Sequence, residues 1–306
     1  MDLYIEGGLE IQVIQSCNLN CEHCFRGKST GKKITKEVAE KILENVKYAK
    51  SIIFSGGEVA LAYEEIKMIL DIIKAKEIKI NSYQFITNGT IYNKKLLDLL
   101  KNNFISGEIN LSSDYFHDKS IQEKYKHNLK EVLNNIRRII NHPHFKSINS
   151  LPKYLINSGN AKNLKDVYKV SDSAIGYISY PFEFFNKTWL KVGPVVSFDV
   201  DGNLVDSSST YEINENNHYG NVFNDNISEL ILKNSIKVCN DSNEFDKQLS
   251  KRYDEYWGND DLPCNGYMKE NFVIRNKKLV KEDMKIINNI SNKKYYNEEK
   301  RLIFKL

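Results

Sequence analysis

Short β-type runs alternate with longer segments of helical period through the first two thirds of this 306-residue chain, and that alternation restricts the fold more than anything else in it. The predicted strands are Leu9 to Val13, Ser51 to Phe54, Tyr83 to Ile86, Glu108 to Leu111, Tyr154 to Ile156 and Ile175 to Ser179. Between them, Lys36 to Ala49 sets Val38, Ile42 and Val46 on one helical face, and Ile121 to Ile140 does so with Tyr125, Leu129, Val132 and Ile136. Six strand-helix units predict an α/β fold, an open partial (β/α)6 barrel, with its chemistry at the carboxyl ends of the strands.

The alternation ends after Trp189. Val195 to Val200, then Asp201-Gly202-Asn203, then Leu204-Val205, reads as a hairpin. From about Asn226 the chain turns to helical stretches rich in Asn, Lys and Asp, with a charged, poorly ordered end expected around Asn289 to Arg301. The expected division is a barrel domain over 1–188 and a small α+β extension over 189–306.

A net charge of +4, spread along the whole length, gives no case for a nucleic-acid surface. The start, MDLYIEGGLE, lacks the pattern of a signal peptide, and no run reaches the ~18 apolar residues of a membrane span, so a cytoplasmic protein is expected. Five cysteines, three of them within eight positions, are distributed wrongly for a disulfide framework and suit metal ligation.

Those three lie directly after the first strand, in Cys17-Asn-Leu-Asn-Cys21-Glu-His-Cys24. Three thiolates on one loop can ligate three irons of an iron–sulfur cube and leave the fourth open to a substrate. A structural zinc site is the rival, but it wants four ligands, and His23 sits where its ring would struggle to join the same tetrahedron.

This loop resembles the CX3CX2C signature of the radical S-adenosylmethionine superfamily, and the resemblance extends over roughly the first 180 residues. It implies one [4Fe–4S] cluster on Cys17, Cys21 and Cys24, with the amino nitrogen and carboxylate of S-adenosylmethionine on the open iron. It also implies that His23, just before the last cysteine, lies beside the adenine; the plain alternative is an exposed loop histidine.

Further motifs fall at the expected strand ends. Ser55-Gly56-Gly57-Glu58 resembles the family's GGE motif: Gly56 and Gly57 let the backbone approach a ligand closely, and the Glu58 carboxylate is expected to face the ammonium of S-adenosylmethionine. Thr87-Asn88-Gly89 is similar to a TNG sequence common at the third strand end, and is also a standard turn signal. At the fourth strand end, Ser112 or Asp114 resembles a contact to the ribose or carboxylate. Alternation puts these two on one face and Ser113 on the other without saying which face points inward, and Asp114 serves equally as a helix cap. His117 is a weaker candidate and reads as a loop histidine. Ser158 and its neighbours supply polar atoms at the fifth strand end.

The stretch from Ser197 through Asp201-Gly202-Asn203 to Ser207 and Ser208 resembles the SPASM or twitch extensions of peptide-modifying radical enzymes. Serines stand where a cysteine would be expected, and only Cys239 and Cys264 follow, too few thiols for a second cluster. Cys264 is a candidate hydrogen-atom donor, against the plainer reading of a packed or incidental cysteine, which also covers Cys239.

The resemblance therefore implies an enzyme that takes an electron from flavodoxin or ferredoxin and cleaves S-adenosylmethionine to a 5′-deoxyadenosyl radical. That radical would take hydrogen from a substrate, with a ribosomally made peptide favoured and epimerisation or cross-linking as the outcome. Radical modification of a small metabolite or nucleotide is the alternative. A non-catalytic module binding S-adenosylmethionine or peptide, and a zinc-binding interaction protein, are the readings of other classes.

Overall fold

The computed structural model describes residues 1–149, 155–165, 169–170, 177–184, 186–206, 210–212, 218–235 and 301–306. Strand β1 (Asp2–Ile14) leads to helix α1 (Lys36–Ile42), β2 (Val46–Gly56), α2 (Tyr63–Ala75), β3 (Lys79–Thr87), α3 (Lys94–Asn103) and β4 (Ser106–Ser112). Helices α4 (Tyr115–Lys124) and α5 (Leu129–Ile140) and strand β5 (Phe145–Asn149) complete the parallel series. Then follow β6 (Leu155–Ile156), β7 (Lys169–Val170), β8 (Tyr177–Phe184), β9 (Lys187–Phe198), β10 (Asn203–Val205) and β11 (His218–Asn221).

The main sheet runs β11-β10-β9-β1-β2-β3-β4-β5, and β8 pairs with β9. Strands β1 to β5 are parallel in sequence order, each joined to the next through at least one helix, so the fold is a partial (β/α) barrel. On β1, Leu9, Ile11 and Val13 are buried in the main apolar core while Glu10 and Gln12 are buried on the other face, Glu10 against Arg26 and Ser197. The helices cover the apolar face. In α2, Ile66, Ile69, Leu70 and Ile73 recur at helical spacing and are all buried. A second apolar cluster joins Leu111 of β4, Ile121 of α4, Val132 and Ile136 of α5 and Ile148 of β5 to Leu19 and Cys21 of the cysteine loop.

Four expectations need correction. The helix expected to reach Ala49 ends at Ile42, where Leu43 caps it by donating to the Ala39 carbonyl; Val46 instead opens β2, buried and in register with Leu3. The helix expected from Ile121 to Ile140 is two helices, broken where the Tyr125 hydroxyl accepts from Asn18 Nδ2 and Lys124 donates to the Asn18 carbonyl. The fifth strand beside β4 is Phe145–Asn149; Leu155–Ile156 pairs with β7 in a separate two-stranded sheet. The boundary expected between 188 and 189 falls inside β9, which runs parallel to β1 from Asp2↔Trp189 to Ile11↔Phe198.

The hairpin forms as read. Strand β10 returns antiparallel on β9 through a turn in which Gly202 takes φ +82° and the Asp199 carboxylate accepts from the amides of Asp201 and Asn203. Ser207, Ser208, Cys239, Cys264 and residues 289–300 lie outside the described residues. Arg301, expected at a poorly ordered end, is fully buried. Among the described residues no helix is long and apolar enough to cross a membrane.

Candidate metal and cofactor site

The cysteine loop leaves the carboxyl end of β1 and is closed at its base by backbone bonds. Gln15 N donates to Lys32 O at 2.8 Å and Ile34 N to Val13 O at 3.1 Å. Inside it, Cys24 N donates to Cys21 O at 3.2 Å, Gly27 N to Cys24 O at 3.3 Å, and Cys17 N to Ser29 Oγ at 3.1 Å. Asn160 grips the loop from beyond β6: its amide donates to Cys24 O at 2.9 Å and its side chain to Cys21 O at 3.1 Å. No motif around Asn160 marks it in the sequence.

The Gly56-Gly57 turn after β2 lies against this loop. Gly57 N donates to Ile14 O at 2.9 Å and Glu58 N to Ser16 O at 2.9 Å. A Cβ on Gly57 would stand 2.2 Å from Ser16 O, and one on Gly56, at φ +144°, 2.1 Å from Ile14 O. The contacts are backbone on backbone, so only glycine fits at either position.

One cavity of about 390 Å³ is bordered by Cys17, Cys21, Cys24, His23, Gly56, Gly57, Asn88, Ser112 and Asp114. It therefore gathers every residue singled out above for metal or cofactor except Glu58. That carboxylate is wholly buried behind the turn: Oε1 accepts from Ala60 N at 2.9 Å and Thr87 Oγ1 at 2.7 Å, and Oε2 from Asn88 N at 2.8 Å. The expectation that it faces an ammonium is corrected, because the side chain ties the ends of β2 and β3 together and leaves the backbone of Gly56 and Gly57 at the cavity. Asn88 carries the tie onward, donating through Nδ2 to Asn18 Oδ1 at 2.9 Å and lying 3.8 Å from Cys17 Sγ.

At the end of β4 the open choice of face resolves: Ser112 borders the cavity and Ser113 points the other way, buried against Asp118 and Arg301. Of the two roles left open for it, Asp114 takes that of the helix cap, and its second oxygen meets two histidines. Its Oδ1 accepts from the amides of Phe116 and His117, capping α4, while Oδ2 sits 2.7 Å from His117 Nδ1 and 3.2 Å from His23 Nε2. Burial opposes its ionisation, but His117 and His23 outweigh that and hold the carboxyl well below the usual range. His117, read as a loop histidine, stands in the first turn of α4. Burial disfavours its cationic form, but Asp114 prevails and raises it above the ordinary imidazole value. His23 is no exposed loop residue; its ring stacks on Phe116 with centroids 4.7 Å apart and planes at 14°.

Burial raises all three thiols, Cys17 to about 11. Residues missed from the sequence also border the cavity: Ser55, Arg26 and Tyr211. The Ser55 and Tyr211 hydroxyls and His23 Nδ1 are buried without a hydrogen-bond partner. Arg26 Nη2 lies 3.2 Å from Glu10 Oε1, and Ser197 Oγ donates to Glu10 Oε2 at 2.8 Å.

Residues 11–150 match the family model of the Radical SAM superfamily. An uncharacterized protein of Methanocaldococcus jannaschii is 26% identical over 133 residues, 42% of this chain and 46% of the relative, so the chain spans less than half the length of that curated relative. Among solved structures, native anSMEcpe with bound AdoMet is 16% identical with a TM-score of 0.44, covering 78% of this chain and 82% of that one. BtrN in complex with AdoMet and 2-DOIA is 14% identical with a TM-score of 0.48, covering 80% and 88%. Streptococcus suis SuiB bound to precursor peptide SuiA is 12% identical with a TM-score of 0.42, covering 75% and 65%. The stretch from the middle of β1 to the end of β5, with the three cysteines, both glycines and Asp114 in it, is thus a domain of the Radical SAM superfamily.

Proposed function

We propose that Cys17, Cys21 and Cys24 hold one [4Fe–4S] cluster with S-adenosylmethionine beside it, and that the chain is a radical enzyme acting on a peptide by epimerisation or cross-linking. The observation that carries this reading is the cavity bordered at once by three thiols and the side-chain-free turn. The donor set fits an iron–sulfur cube. Three soft ligands stand on one loop, no other cysteine is found among the described residues, and the buried thiols, raised by desolvation, are groups that iron would deprotonate.

Bound there, the cluster and S-adenosylmethionine supply reductive cleavage of a sulfur–carbon bond and hydrogen abstraction from the substrate. The chain's own residues do the rest. Gly56 and Gly57 present peptide groups at the cavity without side chains in the way, and Glu58 fixes that turn from behind. Asp114 holds His23 through Nε2, which leaves Nδ1 as a hydrogen-bonding atom for a ligand, together with the Ser55 hydroxyl. Leu155 and Ile156 close one side of the cavity with apolar surface and keep water from it. The peptide preference rests on the hairpin of β9 and β10, whose pattern resembles extensions of peptide-modifying enzymes, and flavodoxin or ferredoxin is the electron source in this reading.

The test is anaerobic reconstitution followed by iron and sulfide counting, then a 5′-deoxyadenosine assay with candidate peptides and, in parallel, nucleosides. About four irons and four sulfides per chain are expected. Zinc without acid-labile sulfide would overturn the reading, and turnover with nucleosides alone would overturn the peptide preference.

A further inference from the structure

We infer that the segment 301–306 is a strap that positions the cysteine loop, with Arg301 as its lock. Arg301 is fully buried, far from the loop in sequence, and its guanidinium meets two groups at the end of β4 and the start of α4. Nε donates to Asp118 Oδ2 at 2.6 Å, while Nη2 donates to the Ser113 carbonyl and, at 3.1 Å, to Ser113 Oγ. The Leu302 amide adds a bond to Asp118 Oδ2 at 2.8 Å. Leu302 and Ile303 then enter the apolar cluster that contains Leu19 and Cys21.

What the strap holds is the helix on which the cysteine loop rests. Helix α4 meets the loop through Asp114 on His23, Phe116 stacked on His23, Ser120 bonded to Cys21, Lys119 paired with Glu22, and Lys124 on the Asn18 carbonyl. These contacts occupy the side of α4 toward the loop, and Asp118 anchors the helix from behind. Asp118 is 3% exposed, and a buried carboxylate in that place stays seated only with a partner; Arg301 and the Leu302 amide supply it. A planar fork reaching Asp118 and Ser113 together fixes both the helix and the strand end, which a single-point cation cannot do. Arg301 touches none of the cavity, so it is a positioning residue.

The inference depends on the proposed cofactor site only for its consequence in catalysis, so the test uses cluster-free, reduced full-length protein. Alkylation by N-ethylmaleimide is followed cysteine by cysteine by mass spectrometry, in wild type, Arg301→Gln, Arg301→Lys and the neutral pair Asp118→Asn/Arg301→Gln. Cys21 is expected to react about tenfold faster in Arg301→Gln than in wild type, with Arg301→Lys in between. The neutral pair removes the unpaired buried charge, so it is expected to regain the wild-type melting temperature while Cys21 stays fast. Equal Cys21 rates in wild type and the neutral pair, or a Lys variant as slow as wild type, would overturn the lock. Failure of the wild type to assemble a cluster would sink the cofactor reading and leave these rates as they are.

Discussion

A single methyl group separates a working turn from a blocked one at Gly57. Its Cβ would lie 2.2 Å from Ser16 O and 2.5 Å from Ser16 C, so Gly57→Ala must push the β2 turn away from the cysteine loop. We expect at least about 2 kcal/mol of destabilisation, read by urea melts, and loss of most bound iron after reconstitution. Gly31 is the control, because it takes φ +82° with nothing within 4 Å of the place a methyl would occupy; Gly31→Ala should cost about 1 kcal/mol of backbone strain and keep its iron. The Asp114 and His117 pair makes a second residue-scale case, through pH. The raised folded value of His117 means that its charge contributes stability fully below the unfolded value near 6.5 and loses it as pH rises through the folded value. Asp114, depressed, contributes above the unfolded carboxylate value of about 3.9 and loses its share as pH falls through its own folded value. The stability gap between wild type and His117→Gln should therefore be widest between about pH 4 and pH 6.5 and should narrow above that. Urea melts at pH 5.5 and pH 9 read it, and a gap that grows with pH would rule the pair out.

Among elements, α5 depends on one apolar stripe. Val132, Ile136 and Ile139 are buried, and Ile136 packs where Gly89 leaves room beside Leu111. Ile136→Ala is expected to cost about 3 kcal/mol in a urea titration, while Lys130→Ala on the exposed face stays within about 0.5 kcal/mol. That stripe was legible because burial on one face writes itself into a 3.6 period. The limits of the helix were not: Tyr125 fits the stripe, yet its hydroxyl is used by Asn18, a partner more than a hundred positions away, and the chain turns there. Val46 shows the same ambiguity, since a buried position opening a strand is indistinguishable by spacing from the next turn of a helix. Strand β5 escaped notice because Ser147 and Ile148 are both buried, Ser147 bonded to Asn110, so its inward face reads as polar. The cysteines, the glycine pair, Asn88 and Asp114 were legible because ligand approach and turns demand particular residue types. Tyr211, Asn160 and Arg301 were not, since their places come from long-range packing rather than from any local pattern.

At the scale of the whole molecule, the part beyond residue 188 belongs to the same sheet as the barrel. Leu190, Val192, Val196 and Phe198 of β9 are fully buried, and β9 lies in register with β1 along nearly its whole length. Contacts to the cysteine loop come from the same part of the chain, Tyr211 N on Arg26 O at 2.9 Å and Lys32 on Asp201 Oδ2 at 2.6 Å, while Ser197 holds the β1 residue Glu10 that pairs with Arg26. In the strand order β1 sits in the interior of the sheet, with β2 on one side and β9 on the other. A chain ending at residue 186 would leave one edge of β1 unpaired and uncover the apolar side chains that β9 hides. Each of those buried side chains contributes about 1.5–3 kcal/mol, so four of them together match the marginal stability of an ordinary domain. Residues 1–186 expressed alone are therefore expected to elute as aggregate on size exclusion and to bind 8-anilinonaphthalene-1-sulfonate, while the full chain does neither. A monomeric 1–186 fragment with a cooperative melt would show that the barrel closes without β9, and the extension would then be an independent unit rather than part of the sheet that carries the cysteine loop.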